Sequence, residues 1–297
     1  MNPILQFLQQ IFTLRGSFNW DYVWGFLFSP DILQGVLITV ILSLMGQVIG
    51  SLIGLGLYFL RRSRTGALRT FANAYIWFFR GTPLLVQILF LYAFMPYVGL
   101  ARPLINTHFF RHLGFTIDIP FDAFIAAAVA LAFNEGAYMS EIVRAGIDSI
   151  DIGQLEAARS LGMTYGRAMR RIVLPQAMRV IIPPLGNEFN SMLKSSSLAY
   201  TIGASELLFA AYSHSFALGA PLELYTVAVI WYLVLTTIWS FVQAMIERRF
   251  NASTREPGMP NERSWWRRYI GFGLGAPVTV PAGIPTEAGA PGLGERR

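Results

Sequence analysis

The chain has 297 residues, 54% of them hydrophobic and 13% charged, where a soluble globular protein carries about 25% charged. With a mean hydropathy of +0.47, that composition excludes an ordinary soluble domain and makes this a membrane protein. No cysteine is present, which removes disulfides, thiol catalysis and Cys-based metal sites; the net charge of +6 collects in loops between apolar runs, where lipid topology explains it better than nucleic acid does.

Residues 1–30 lack the basic start and unbroken apolar core of a signal peptide and contain Arg15 and Asp21. They read as an extracytoplasmic, interfacial segment anchored by Trp20, Tyr22 and Trp24. A spanning helix needs about 20 mostly apolar residues, and five stretches qualify: 32–60, 71–97, 121–143, 180–203 and 222–246.

In the first, Gly46, Gly50 and Gly54 repeat at four-residue spacing, which lets another helix approach closely and fits a dimer seam or internal packing equally. In the second, Thr82-Pro83 interrupts an apolar helix; the lost backbone hydrogen bond predicts a kink, tolerated where neighbours or a cavity satisfy the freed carbonyl. Arg80 beside it snorkels or pairs near the inner face, or contacts a substrate carboxylate. His108 and His112 have helical spacing, but no carboxylate lies nearer than Asp118, so no metal site is expected.

The third span carries Glu135 at depth, facing a cavity or neutralised in the bundle, and Glu141 and Arg144 at ion-pair spacing. The fourth holds Glu188 and Lys194 amid Asn187, Asn190, Ser191 and Ser195. Ionised groups at the bilayer centre cost about 2.5–3.5 kcal/mol or more and usually face a cavity or a partner. A lining with both charge signs beside amides and hydroxyls matches a zwitterion; alternatively Glu188 and Lys194 pair with other protein groups and line only a gate. Six residues apart, they fall on opposite helix faces about 9 Å apart along the axis. His214 stands with only a Ser on either side, so no catalytic dyad is apparent.

Residues 156–175 form a polar, arginine-bearing loop, here taken as cytoplasmic. On its side lie Arg61, Arg62, Arg64 and Arg69, the arginines from Arg144 to Arg179, and those after the fifth span. The positive-inside bias then places the N-terminus outside and the C-terminus inside. The tail, 251–297, is rich in Gly, Pro and Ala towards its end and reads as disordered cytoplasmic chain. Lys194 is the only lysine, so the chain holds no phosphate-binding G-x-x-x-x-G-K-[ST] loop.

Glu156-Ala157-Ala158, Gly162 and Ile172-x-Leu174-Pro175 resemble the EAA signature of ABC importer permeases. Arg80-Gly81-Thr82-Pro83-Leu84-Leu85-Val86-Gln87, Gly136-Ala137-Tyr138-x-x-Glu141-Ile142-x-Arg144, and Asn187-Glu188-Phe189 with Lys194-Ser195-Ser196-Ser197-Leu198 are similar to the polar amino acid permeases of the histidine, glutamine and glutamate type. The likeness runs from about residue 30 to 250, the permease domain being 31–250 with its coupling loop at 150–175; Asn134-Glu135 departs from it, since many relatives carry small or hydroxylated residues there.

The resemblance implies an all-α integral membrane protein of the ABC type I importer permease fold, with five transmembrane helices, in the cytoplasmic membrane. It implies a transport subunit, not an enzyme, that moves glutamate, glutamine or a related polar amino acid by alternating access. It implies partners: two ATPase subunits that bind ATP and Mg, an identical or homologous second permease, and an extracytoplasmic binding protein. Glu156, Ala157, Ala158, Gly162, Arg167, Leu174 and Pro175 would meet the ATPase, with residues 152–170 as docking helix. Thr82, Pro83, Gln87, Glu135, Tyr138, Asn187, Glu188, Asn190, Lys194 and Ser195 would line the pathway. An ion-gradient-driven carrier is the alternative, with Glu135 or Glu188 as coupling site, although no inverted repeat is evident.

Overall fold

The computed structural model describes residues 18–98 and 121–251, and every element among them is helical. In chain order these are α1 (Trp20–Leu27), α2 (Pro30–Arg61), α3 (Gly66–Gly81), α4 (Leu84–Phe94) with a 3-10 turn at Met95–Val98, α5 (Phe121–Asp148), α6 (Ile152–Ser160) and the short α7 (Tyr165–Ala168). A π turn at Met169–Val173 leads into α8 (Leu174–Ser195), followed by a 3-10 segment Ser196–Ile202, α9 (Leu207–Leu218) and α10 (Pro221–Asn251). His108, His112 and most of the tail lie outside the described residues.

Local chemistry sets the helix starts. The Asn19 side chain accepts from the Asp21 amide at 2.8 Å to cap α1, and Ser29 caps α2 with Pro30 in its first turn. At 32 residues, α2 spans about 48 Å, longer than the ~30 Å hydrocarbon core.

α5 is the central helix, in contact with α2, α3, α4 and α8. Of its most apolar stretch 72% is buried, against 6% for α10, so α5 forms the core while α10 turns Val229, Leu233 and Ile238 outward. Small residues permit this. Ala123, Ala126, Ala127 and Ala130 are fully buried together with Ile38, Leu42, Ile88 and Leu131. The glycine row of α2 proves to be internal packing: a Cβ on Gly50 would sit 2.5 Å from the Glu135 Cβ, and one on Gly54 2.5 Å from the Met139 Cβ. A second cluster joins α1, α2, α9 and α10 through Val23, Ile32, Leu207 and Val227, and Trp231 Nε1 donates to the Leu27 carbonyl at 2.7 Å.

Two expectations are corrected, and the five spans are only partly recovered. The second span is two helices bent by 108° at Gly81-Thr82-Pro83, because Pro83 cannot donate to the preceding turn and Thr82 adopts extended backbone. By length and composition three helices can cross a membrane, or four if the bent pair is one span. The expected fourth span, in α8, fails that test because it carries Pro183, Pro184, Asn187, Glu188, Asn190 and Lys194. Finally, His214 is not alone: its Nε2 lies 3.0 Å from Asp31 Oδ2 at the start of α2, and its ring packs against Phe26.

Candidate functional site

The polar loop after α5 is built as a short capped helix and a glycine turn. Asp151 accepts from the Gly153 amide at 2.8 Å, starting the nine-residue α6. Glu156 and Ala157 are exposed and Ala158 is buried. The helix ends in a Schellman motif: Gly162 N donates to the Arg159 carbonyl and Met163 N to that of Ala158, with Gly162 at φ +81°, a conformation glycine alone adopts without strain. The docking helix expected over 152–170 is therefore α6, a turn and α7. Ile152 and Leu161 on α6 and its turn are 70% and 85% exposed.

Pro175 does not end the loop helix. It lies in the first turn of α8, where its missing N–H is least costly; the preceding π turn absorbs the mismatch, and the Gln176 side chain donates to the Ile172 carbonyl at 3.0 Å. Leu174 is exposed.

Thr82, Pro83 and Gln87 come together at the elbow between α3 and α4. Gln87 Nε2 donates to the carbonyls of Phe79 and Thr82, both at 3.0 Å, and lies 2.8 Å from Thr82 Oγ1. Asn134 Nδ2 donates to the Phe79 carbonyl and to Gln87 Oε1. The carbonyls freed by the break are thus satisfied by side chains, as the interior of a membrane protein requires. Asn134, the residue that departs from the family pattern, closes this clamp. One turn further along α5, the Tyr138 ring carries the Arg80 guanidinium 5.4 Å from its centroid.

Glu135 is 3% exposed and accepts from Gln47 Nε2 of α2 at 3.1 Å. Asn187 accepts from Gln243 Nε2 at 3.1 Å, and the same amide group lies 3.4 Å from the Pro183 carbonyl. Trp239 Nε1 donates to the Gly186 carbonyl at 2.8 Å. α10 therefore braces the proline-bearing part of α8. Glu188 is half-buried, Lys194 exposed and Ser195 intermediate, while Asn190 Oδ1 is buried without a hydrogen-bond partner among the described residues. Towards the C-terminal end of α5, Glu141 pairs with Arg144 at 2.8 Å as its spacing suggested, and with Arg61 of α2 at 2.6 Å.

Sequence reasoning missed Glu206. Fully buried, it accepts from the Leu208 and Phe209 amides to cap α9 and from Tyr232 Oη at 2.8 Å, with Thr39 Oγ1 at 3.5 Å. A Glu four residues after Ile202, between apolar runs, gave no motif by which to find it.

Residues 46–252 match the family described as the binding-protein-dependent transport system inner membrane component. The arginine transport system permease protein ArgU of Corynebacterium glutamicum is 39% identical over 80% of this chain and 74% of its own. ArtQ of Bacillus subtilis, also an arginine transport system permease protein, is 36% identical over 75% of this chain and 94% of its own. Among solved structures, an amino acid ABC transporter crystallised with histidines superposes with a TM-score of 0.60 at 37% identity, covering 74% of this chain and 94% of that one. An inward-facing MetNI methionine ABC transporter shares the fold at a TM-score of 0.54 and 19% identity, over 74% of this chain and 94% of that one. The chain belongs to the family of inner membrane components of binding-protein-dependent transport systems, as a membrane-embedded permease of the ABC importer type.

Proposed function

We propose that this chain is the permease subunit of an ATP-driven importer that carries a polar amino acid across the cytoplasmic membrane by alternating access. The observation that carries the reading is α6 with its turn: a rigid, capped helix presents Ile152, Glu156 and Leu161 to solvent. Exposed large apolar side chains on a polar loop mark a surface that a partner covers. That partner is an ATPase subunit holding ATP and Mg, since this chain has no phosphate-binding lysine loop; Ala157, Ala158, Arg167, Leu174 and Pro175 belong to the same docking region. A second permease, identical or homologous, and an external binding protein complete the assembly, with five crossings, the N-terminus outside and the C-terminus inside.

The cargo class rests on the names of the relatives, which include arginine permeases, and on the mixed polar lining of α8. Thr82, Pro83, Gln87, Glu135, Tyr138, Asn187, Glu188, Asn190, Lys194 and Ser195 are the pathway residues in this reading. Gln87 acts there as a support of broken backbone, while Asn187 accepts from Gln243 of α10. In reconstituted transporter, Glu156→Lys with Gly162→Trp is expected to uncouple ATP hydrolysis from uptake while the protein still inserts. Wild-type uptake by that double variant contradicts the docking role.

A further inference from the structure

From Ala157 to Asn187 the chain contains Arg159, Arg167, Arg170, Arg171 and Arg179 and not one carboxylate. Three of these arginines converge: Arg167, Arg170 and Arg171, with Gly166, line an open cavity of about 570 Å³. None of the three has an ion-pair partner among the described residues, whose ion pairs are Arg61–Glu141, Arg144–Glu141, Arg144–Asp148 and His214–Asp31. Guanidinium groups present planar donor forks suited to phosphate, and three around one cavity form a focused positive field with no ion-paired counter-charge among the described residues.

The position of the cavity narrows what fills it. Immediately after Arg170 and Arg171, α8 turns Leu174 and Met178, one turn apart on one face, to the outside, each more than a third exposed, and Tyr165 on the other side is half exposed. A basic turn flanked by a tyrosine and running straight into an outward apolar stripe is the profile of a chain crossing from headgroup depth into hydrocarbon.

We infer that the cavity between Gly166, Arg167, Arg170 and Arg171 is a binding site for a phosphate group, supplied by the headgroup of an anionic lipid in the adjoining leaflet or by free phosphate. This is separate from the substrate reading and does not depend on it; Arg167 is common to this site and the docking region, whereas Arg170 and Arg171 belong to the site alone. The π turn at Met169–Val173 supports the site by carrying Arg170 and Arg171 side by side into the exposed face.

The test uses the full chain purified in detergent and native mass spectrometry of retained lipid, with phosphatidylglycerol compared with phosphatidylcholine, for the wild type, Arg170→Gln with Arg171→Gln, and Arg170→Lys with Arg171→Lys. Each basic group near a lipid surface contributes on the order of 1 kcal/mol, so removing two charges lowers phosphatidylglycerol retention by about thirtyfold, and the Lys pair restores most of it. Retained phosphatidylglycerol that millimolar inorganic phosphate does not displace identifies lipid as the source. Displacement by inorganic phosphate, with the same dependence on Arg170 and Arg171, identifies free phosphate. Equal retention of both lipids, no loss in the Gln pair, or loss in the Lys pair equal to that in the Gln pair overturns the inference and leaves the arginines to an acidic face of a partner protein.

Discussion

Two residues show how narrowly packing constrains this chain. Gly54 of α2 faces α5 so closely that a Cβ would also lie 2.8 Å from the Ser140 amide nitrogen; backbone cannot yield as a flexible side chain can. Gly56, two residues along the same helix, has nothing within 4 Å. Gly54→Val is expected to cost about 1–3 kcal/mol or more by overpacking, seen as a lower melting temperature in detergent, whereas Gly56→Val stays close to the wild type. Equal melting temperatures for the two variants contradict the helix contact described. Glu206 poses a different residue-scale question, since its carboxylate caps α9 and joins α10 through Tyr232. Glu206→Ala removes the acceptor for two amides and should cost about 1–2 kcal/mol, read as faster hydrogen exchange at the start of α9. Glu206→Gln retains one acceptor oxygen and falls between.

Among elements, the elbow between α3 and α4 is the least regular and the best supported. A 108° break leaves carbonyls that water cannot satisfy in a bilayer, and Gln87 and Asn134 supply the missing donors. Because the two amides also bond each other, their contributions are not independent. Gln87→Leu and Asn134→Leu should each destabilise by about 1–3 kcal/mol, and a double-mutant cycle should show coupling of about 0.5–3 kcal/mol. Additive effects would mean that the clamp does not act as a unit. At α8, Trp239 and Gln243 of α10 bond the carbonyls of Gly186 and Pro183, bracing the stretch that contains Pro183 and Pro184.

For the whole molecule, long apolar helices were legible from periodicity and composition: α2, α5 and α10 begin and end within a few residues of where the sequence places them, apart from the C-terminal ends of α5 and α10, which run five residues longer. The loop was legible from its signature residues and because Gly162 permits a tight turn, whereas the helix start capped by Asp151 emerged only in the structure. What was not legible depends on distant partners. Proline alone signalled a kink at residue 83 but not a full break, since the break is stable only with Asn134 from 51 residues away, and the Thr39–Glu206–Tyr232 contact joins three helices with no local pattern in the sequence. Nor did spacing reveal that Gly46, Gly50 and Gly54 meet α5 and Met192 of α8 within this chain, a choice that only the tertiary arrangement makes. The central claim is that this permease moves a polar amino acid when a partner hydrolyses ATP. The most direct measurement is uptake of radiolabelled arginine, glutamine, histidine and glutamate into proteoliposomes holding the chain with its co-purifying ATPase and binding protein. The account predicts uptake of one of these with ATP supplied and none without it; uptake driven by an ion gradient in the absence of ATP would contradict it.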